Sequence, residues 1–240
     1  MFIMSHSLEF ASMTHCSDTA KVDHVYRLGL AQPGDVPRFQ QWTREILNLN
    51  LPEDYLQRGK ILVLRDQRDQ ICGGCLVVLQ PEFRSLQSIP STQRKSFPYD
   101  SERLAEVNAV WLSPGIKSPI LPLTFWRQLA LFLLSTHREQ FLFTYDHGNR
   151  QMRKFASWLC HQVIYSGQTK QLEGMPGPAQ ETIALVSRDS LLYLHHKLHP
   201  QAVGSAVPRY ANLEHAPSAV TGADPQPAEA SKPERFNLGG

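Results

Sequence analysis

The chain has 240 residues, 42% hydrophobic and 19% charged, enough apolar content for one core of ordinary domain size. Its 24 basic and 22 acidic side chains leave a net charge of +2, with no run of five Lys or Arg, which argues against nucleic acid as a partner. The opening MFIMSHSLEFASMTHCSDTAK lacks the charged start and unbroken apolar stretch of a signal peptide, and QLALFLLS is too short to span a bilayer, so neither export nor stable membrane insertion is expected.

Residues 1–22 read as a flexible leader. HVYRLGLA alternates and reads as a strand. In QPGDVPRFQQWTREILNL, the Pro-Gly-Asp punctuation is followed by Val36, Phe39, Trp42, Ile46 and Leu47 at helical spacing. KILVLRD and QICGGCLVVLQ form two strands around the polar turn RDQRDQ, a hairpin. From Pro81 to Arg103 there are three prolines and little periodicity, so 81–103 reads as a long irregular insertion. LAEVNAVWLSP is a strand, and PLTFWRQLALFLLSTHRE a helix with Phe125, Leu129, Phe132 and Leu133 on one face. QFLFTYD is a strand, and NRQMRKFASWLCHQ a helix with Met152, Phe155 and Leu159 inward. VIYSGQ and ETIALVS pair around EGMPGPAQ, and DSLLYLHHKLH closes the folded part, residues 23–199. The Pro-, Ala- and Ser-rich stretch 200–240 cannot bury enough apolar surface to offset its ordering entropy and reads as a disordered C-terminal tail.

The order β-α-β-β-loop-β-α-β-α-β-β predicts an α/β (α+β) fold, a mixed, mainly antiparallel sheet flanked by helices. The four cysteines include a C-G-G-C tetrad, Cys72 to Cys75. Zinc would need a second pair, and a redox CxxC normally opens a helix. These flanks read as strand, so the tetrad is expected to be two small buried residues around a Gly-Gly bulge, with redox chemistry the weaker reading. Reduced thiols would suit the cytoplasm.

Three segments together resemble the Gcn5-related N-acetyltransferase superfamily. They are YRLGLAQPGDVPRFQQW, the hairpin ILVLRDQRDQICGGCLVVL, and FLFTYDHG followed by Asn149 and RQMRKFASWL. The resemblance covers roughly residues 23–187. It implies transfer of an acyl group from a thioester, acyl-CoA or acyl carrier protein, to a small-molecule or protein amine. It further implies that the fourth and fifth strands splay to admit the pantetheine arm. Backbone amides of Val110, Trp111 and Leu112 would polarise the thioester carbonyl. The loop SPGIKSPILPL would meet the pyrophosphate through Gly115, Lys117 and Ser118, with Asn149 opening the following helix on the ligand side. No metal is expected.

This sequence departs from the family pattern in two ways. Pro119 and Pro122 remove amide donors from the phosphate loop. Ala156 stands seven residues after Asn149, where the family carries a Tyr, leaving Tyr145 or Tyr165 as substitutes. The long insertion and the degenerate loop are similar to the N-acyl amino acid synthase and autoinducer synthase branch, which commonly has a Glu at the start of the fourth strand, here Glu106.

Each candidate has a plainer alternative. Glu106 is a general base or a sheet-end carboxylate facing water. His147 is a base or a solvated turn residue. Asn149 is a helix cap whether or not it meets a ligand. His195, His196 and His199 are surface residues rather than a metal site, for lack of a carboxylate partner. Arg150, Arg153 and Lys154 form a solvated helix face or a dock for an acidic carrier protein. A catalytically inactive binding or regulatory module on the same fold is the competing functional class.

Overall fold

The computed structural model describes residues 26–94, 100–115, 118 and 120–198. The expected leader, the expected disordered tail, Lys117, Pro119 and His199 lie outside the described residues.

The elements are β1 (Arg27–Leu30), α1 (Val36–Leu47), α2 (Glu53–Gln57), β2 (Gly59–Arg65), β3 (Ile71–Val78), α3 (Arg84–Gln87), β4 (Leu104–Leu112), α4 (Ile120–Ser135), β5 (Gln140–Asp146), α5 (Arg150–Leu159), β6 (Gln162–Gln168), β7 (Gln180–Ser187) and α6 (Arg188–Lys197). The strands form one seven-stranded sheet in the order β1-β2-β3-β4-β5-β7-β6. Every pairing is antiparallel except β4 with β5. The expected mixed, mainly antiparallel sheet is therefore what the chain builds.

Helices cover both faces, which explains why β3 is buried along its whole length. On one face, Phe125, Leu129 and Leu133 of α4 and Phe155 and Leu159 of α5 pack on Leu62, Val77, Val107, Phe141 and Phe143. Trp126 joins the two helices, its ring 4.8 Å from that of Phe155. On the other face, Phe39 and Leu47 of α1 and Tyr55 of α2 pack on Val63, Leu76, Trp111, Leu142 and Leu185. The spacing of Phe39, Thr43 and Leu47 puts one side chain per turn into that core, and Asn48 ends α1 in the left-handed conformation.

The C-G-G-C tetrad lies inside β3. Cys72 and Cys75 are buried, and burial pushes the Cys72 thiol up to about 12 and the Cys75 thiol higher still. The glycines serve packing. A Cβ on Gly74 would stand 3.0 Å from the Phe39 ring, and one on Gly73 would press on Leu112. Here the reading of small strand residues is the observed one. Two short helices, α2 and α3, were not expected. The described part of segment 81–103 is also less irregular than its sequence reads. Phe83, Arg84, Ser85, Ser88 and Ile89 are buried in it.

Candidate functional site

β4 and β5 pair in parallel only from Leu104–Gln140 to Val107–Phe143. Beyond that point β4 continues to Leu112 beside β3, and β5 continues to Asp146 beside β7. The two central strands therefore diverge, and a gap opens in the middle of the sheet. The cause is local. Between Gly74–Trp111 and Leu76–Asn108 the β3–β4 register shifts, with one more residue on β4 than on β3. Ala109 takes φ 49°, a left-handed conformation unfavourable for a residue with a Cβ. The Asn108 side chain holds this bulge, its Oδ1 accepting from the Ala109 N–H at 2.7 Å.

Past the bulge, the Ser113 N–H donates to the Cys72 carbonyl at 2.9 Å. Strand alternation then turns the N–H groups of Leu112 and Val110 away from β3, toward the side that β5 has left. The Val110 and Trp111 side chains are both buried. Trp111 stacks on Trp42 at 5.9 Å, and its indole N–H has no acceptor among the described residues. Gly115 is exposed in the turn after β4, and Ser118 is half-buried just before α4.

Glu106 is neither at a wet sheet end nor open to a cleft. It is fully buried, and its carboxylate is enclosed by donors. Oε2 accepts from the Tyr55 hydroxyl at 2.6 Å and the Arg84 N–H at 2.9 Å. Oε1 accepts from the Ser85 N–H at 2.6 Å and the Ser85 hydroxyl at 2.5 Å. A carboxylate has about four lone-pair positions, and here four donors meet it. Two of them are backbone N–H groups of the first turn of α3, a direct consequence of the 81–103 segment folding back onto the sheet. The Arg84 guanidinium lies over the Tyr55 ring, 5.2 Å from its centre. The Tyr55 hydroxyl is pushed well above its ordinary value, first by burial and then by the neighbouring Glu106 charge.

A cleft of about 50 Å³ lies next to this cluster, between the α1 end and the divergence of β4 and β5. Asn108, Thr144 and Glu181 form its floor, from β4, β5 and β7. Leu47 and Leu49 form one wall, and Leu172, Met175 and Pro176 the roof. The roof segment 169–179 is fastened at three points. The Lys170 N–H donates to Ser88 O at 2.8 Å, the Asn50 N–H to Gly174 O at 2.8 Å, and the Arg84 guanidinium to Glu173 O at 2.6 Å. Gly174, at φ 76°, leaves no room for a side chain against the Asn50 backbone.

The other sequence candidates are elsewhere. His147 is exposed past the end of β5, with Nδ1 3.3 Å from both Thr182 Oγ1 and Ser166 Oγ, and it does not line the cleft. Asn149 caps α5, its Oδ1 accepting from the Met152 N–H at 3.0 Å. Ala156 is buried. Tyr165 belongs to the core on the α1 side of the sheet, away from α5, and its hydroxyl donates to Gln168 O at 2.6 Å. Tyr145 faces α5, and burial holds its hydroxyl above its usual value. Arg150, Arg153 and Lys154 are all exposed on the outer side of α5, in line with Trp158. No group of three or more potential metal ligands occurs among the described residues. No described helix is long and apolar enough to cross a membrane.

Sequence reading missed Tyr55, Ser85, Asn108, Thr144 and Glu181. The signal was present for three of them. Asn108, Thr144 and Glu181 are polar residues at core-facing positions of otherwise apolar strands, and such positions are filled only where partners await them.

No family model matches the sequence, and no curated protein matches it. Solved structures do match in shape. The AHL synthase LasI superposes with a TM-score of 0.51 at 11% identity, covering 70% of this chain and 93% of LasI. FeeM, an N-acyl amino acid synthase from uncultured soil microbes, gives 0.48 at 14% identity, covering 68% and 92%. A probable acetyltransferase from Staphylococcus epidermidis gives 0.48 at 10% identity, covering 68% and 98%. At 11% identity the likeness to LasI is one of architecture, and together with the parted central strands it shows a Gcn5-related N-acetyltransferase-like fold.

Proposed function

We propose that the chain is an N-acyltransferase that moves an acyl group from a thioester, acyl-CoA or acyl carrier protein, to an amine. The observation that carries this reading is the gap between β4 and β5, with the N–H groups of Val110 and Leu112 directed into it and a cleft beside it. The pantetheine arm would lie along the β4 side of the gap, using those N–H groups. One of them would donate to the thioester carbonyl oxygen, where negative charge grows as the amine attacks. The amine nitrogen bonds to the carbonyl carbon, the C–S bond breaks, and the leaving thiolate takes up the equivalent of the proton that the nitrogen sheds. The acceptor would enter from the cleft, past Thr144 and Asn108.

Gly115 and Ser118, with Lys117, follow β4 directly and are the residues we assign to the donor's phosphates. Asn149 supports the same end of the site by fixing the start of α5. The exposed Arg150, Arg153 and Lys154 support a carrier-bound donor, because an acidic carrier would be steered to them. His147, exposed and away from the cleft, is a proton acceptor only for a substrate that reaches round the end of β5.

The second reading is a non-catalytic binding module. Ala156 favours it, since α5 offers no hydroxyl there to protonate a thiolate. Thiol release decides between the two. Purified protein is mixed with acetyl-CoA, a long-chain acyl-CoA or acyl-loaded carrier protein, together with a panel of amines. Amine-dependent release of free thiol supports the transferase. Donor binding by calorimetry without any thiol release leaves the binding module.

A further inference from the structure

Both walls of the β4–β5 gap are tied to one buried carboxylate. From the β4 wall, the Asn108 Nδ2 group donates to the Tyr55 hydroxyl at 3.2 Å, and that hydroxyl donates to Glu106 Oε2 at 2.6 Å. The same Asn108 holds the Ala109 bulge through its Oδ1. From the β5 wall, Thr144 Oγ1 lies 2.7 Å from Ser85 Oγ, which donates to Glu106 Oε1 at 2.5 Å. Glu106 itself stands on β4 where the strands are still paired, opposite Leu142 of β5. It is thus a fixed point just below the fork, with one arm to each prong.

We propose that Glu106, Tyr55, Ser85 and Asn108 form a clamp that sets the width of the gap, and that they are positioning residues for the thioester donor rather than groups that handle protons. The proposal rests on the reading of the gap as the donor site. Three physical arguments carry it. The left-handed Ala109 is a conformation that persists only if its surroundings over-determine it, and the Asn108–Tyr55–Glu106 chain is what does so. Hydrogen bonds to a buried charge are stronger than neutral ones, so an ionised carboxylate is a stiff anchor. Finally, with four donors on it and no contact with the cleft, the carboxylate has no lone pair aimed at a substrate amine.

The test uses the full chain carrying Tyr55→Phe or Ser85→Ala, each of which cuts one arm. Should Ser85→Ala fail to fold, Thr144→Val cuts the same arm and leaves all four donors on Glu106. Three readouts are needed, the last being the pH–rate profile of amine-dependent thiol release. The first is residue-resolved amide exchange at Ala109 and Ser113, which requires no donor. The second is calorimetric titration with acetyl-CoA and octanoyl-CoA, read as Kd and stoichiometry separately. We expect exchange at Ala109 at least fivefold faster in Tyr55→Phe, and donor Kd about tenfold higher when either arm is cut, with stoichiometry unchanged. Unchanged exchange in Tyr55→Phe overturns the clamp. So does a fall in stoichiometry at constant Kd, which signals only a misfolded fraction, and so does faster exchange with unaltered donor Kd. A shifted pH–rate profile at constant donor Kd overturns it in another way, by making Glu106 a base acting through Ser85. If the unmodified protein binds neither acyl-CoA, a CoA thioester is not its donor, and amide exchange alone decides whether the clamp stands.

Discussion

The two faces of the sheet solve different problems. Under α4, α5 and α6 the interior is largely hydrocarbon and aromatic, with Phe125, Trp126, Leu129, Phe143 and Phe155 in one cluster. Under α1, α2 and α3 an aromatic end built from Phe39 and Trp111 gives way to Glu106, Tyr55, Asn108, Ser85 and Thr144. An apolar core holds elements together but tolerates repacking, because dispersion contacts are individually weak and undirected. A buried polar network is costly unless complete, and when complete it fixes particular atoms in particular places. The chain puts the first kind of interior where it needs cohesion and the second where it needs a strand to leave its neighbour at a set point.

That contrast can be broken most severely from the apolar side. Phe125→Ala should destabilise the fold by about 4 kcal/mol, read from denaturant unfolding, while the folded fraction keeps its donor affinity. Were affinity to fall as well, the two faces would not be separable. On the polar face, Glu106→Gln turns an amide NH2 toward donors that had met a carboxylate, and should cost about 3 kcal/mol. A stability change below about 1 kcal/mol would mean that the network is not held by charge.

Alkaline titration sharpens the contrast without a mutation. The Tyr55 hydroxyl has a folded-state value above its unfolded value near 10. Its contribution to stability is therefore complete below pH 10 and drains away as pH rises beyond that toward the folded value. Phenolate absorbance should show Tyr55 ionising only together with unfolding, and in Tyr55→Phe the fall of stability with pH above 10 should be shallower. Trp111→Phe is the small perturbation. It removes an indole N–H that has no acceptor among the described residues, which offsets the lost volume, and should change stability by less than about 1 kcal/mol. The smallest effect belongs to the thiols. Cys72 and Cys75 should stay unmodified by a disulfide reagent until the protein unfolds, and rapid reaction of either would revive a redox role for the tetrad.

Much of the architecture was legible because it is written in periods. Phe39 and Leu47 repeat at helical spacing, β2 and β3 carry the apolar runs ILVL and CLVV, and Asn149 announces the start of α5. What the chain hides is what distance in sequence conceals. α2 and α3 are too short to show a period, so Tyr55 and Ser85 looked like loop residues. Glu106 was visible as a carboxylate on the fourth strand. Its partners lie 21, 22 and 51 residues away, and only the fold brings them to it. The gap was expected from the resemblance, but its local cause, a left-handed Ala109 held by its neighbour Asn108, has no sequence signature.

The fastened roof has a consequence for populations. Lifting segment 169–179 breaks the bonds at Ser88, Gly174 and Glu173, at about 1 kcal/mol net for each. The open form then lies at least about 3 kcal/mol above the closed one, so at most roughly one molecule in 150 would have an open cleft at any moment. A ligand too large for the closed cleft would meet only that fraction, and its apparent affinity would be weaker than its intrinsic affinity by at least the same factor.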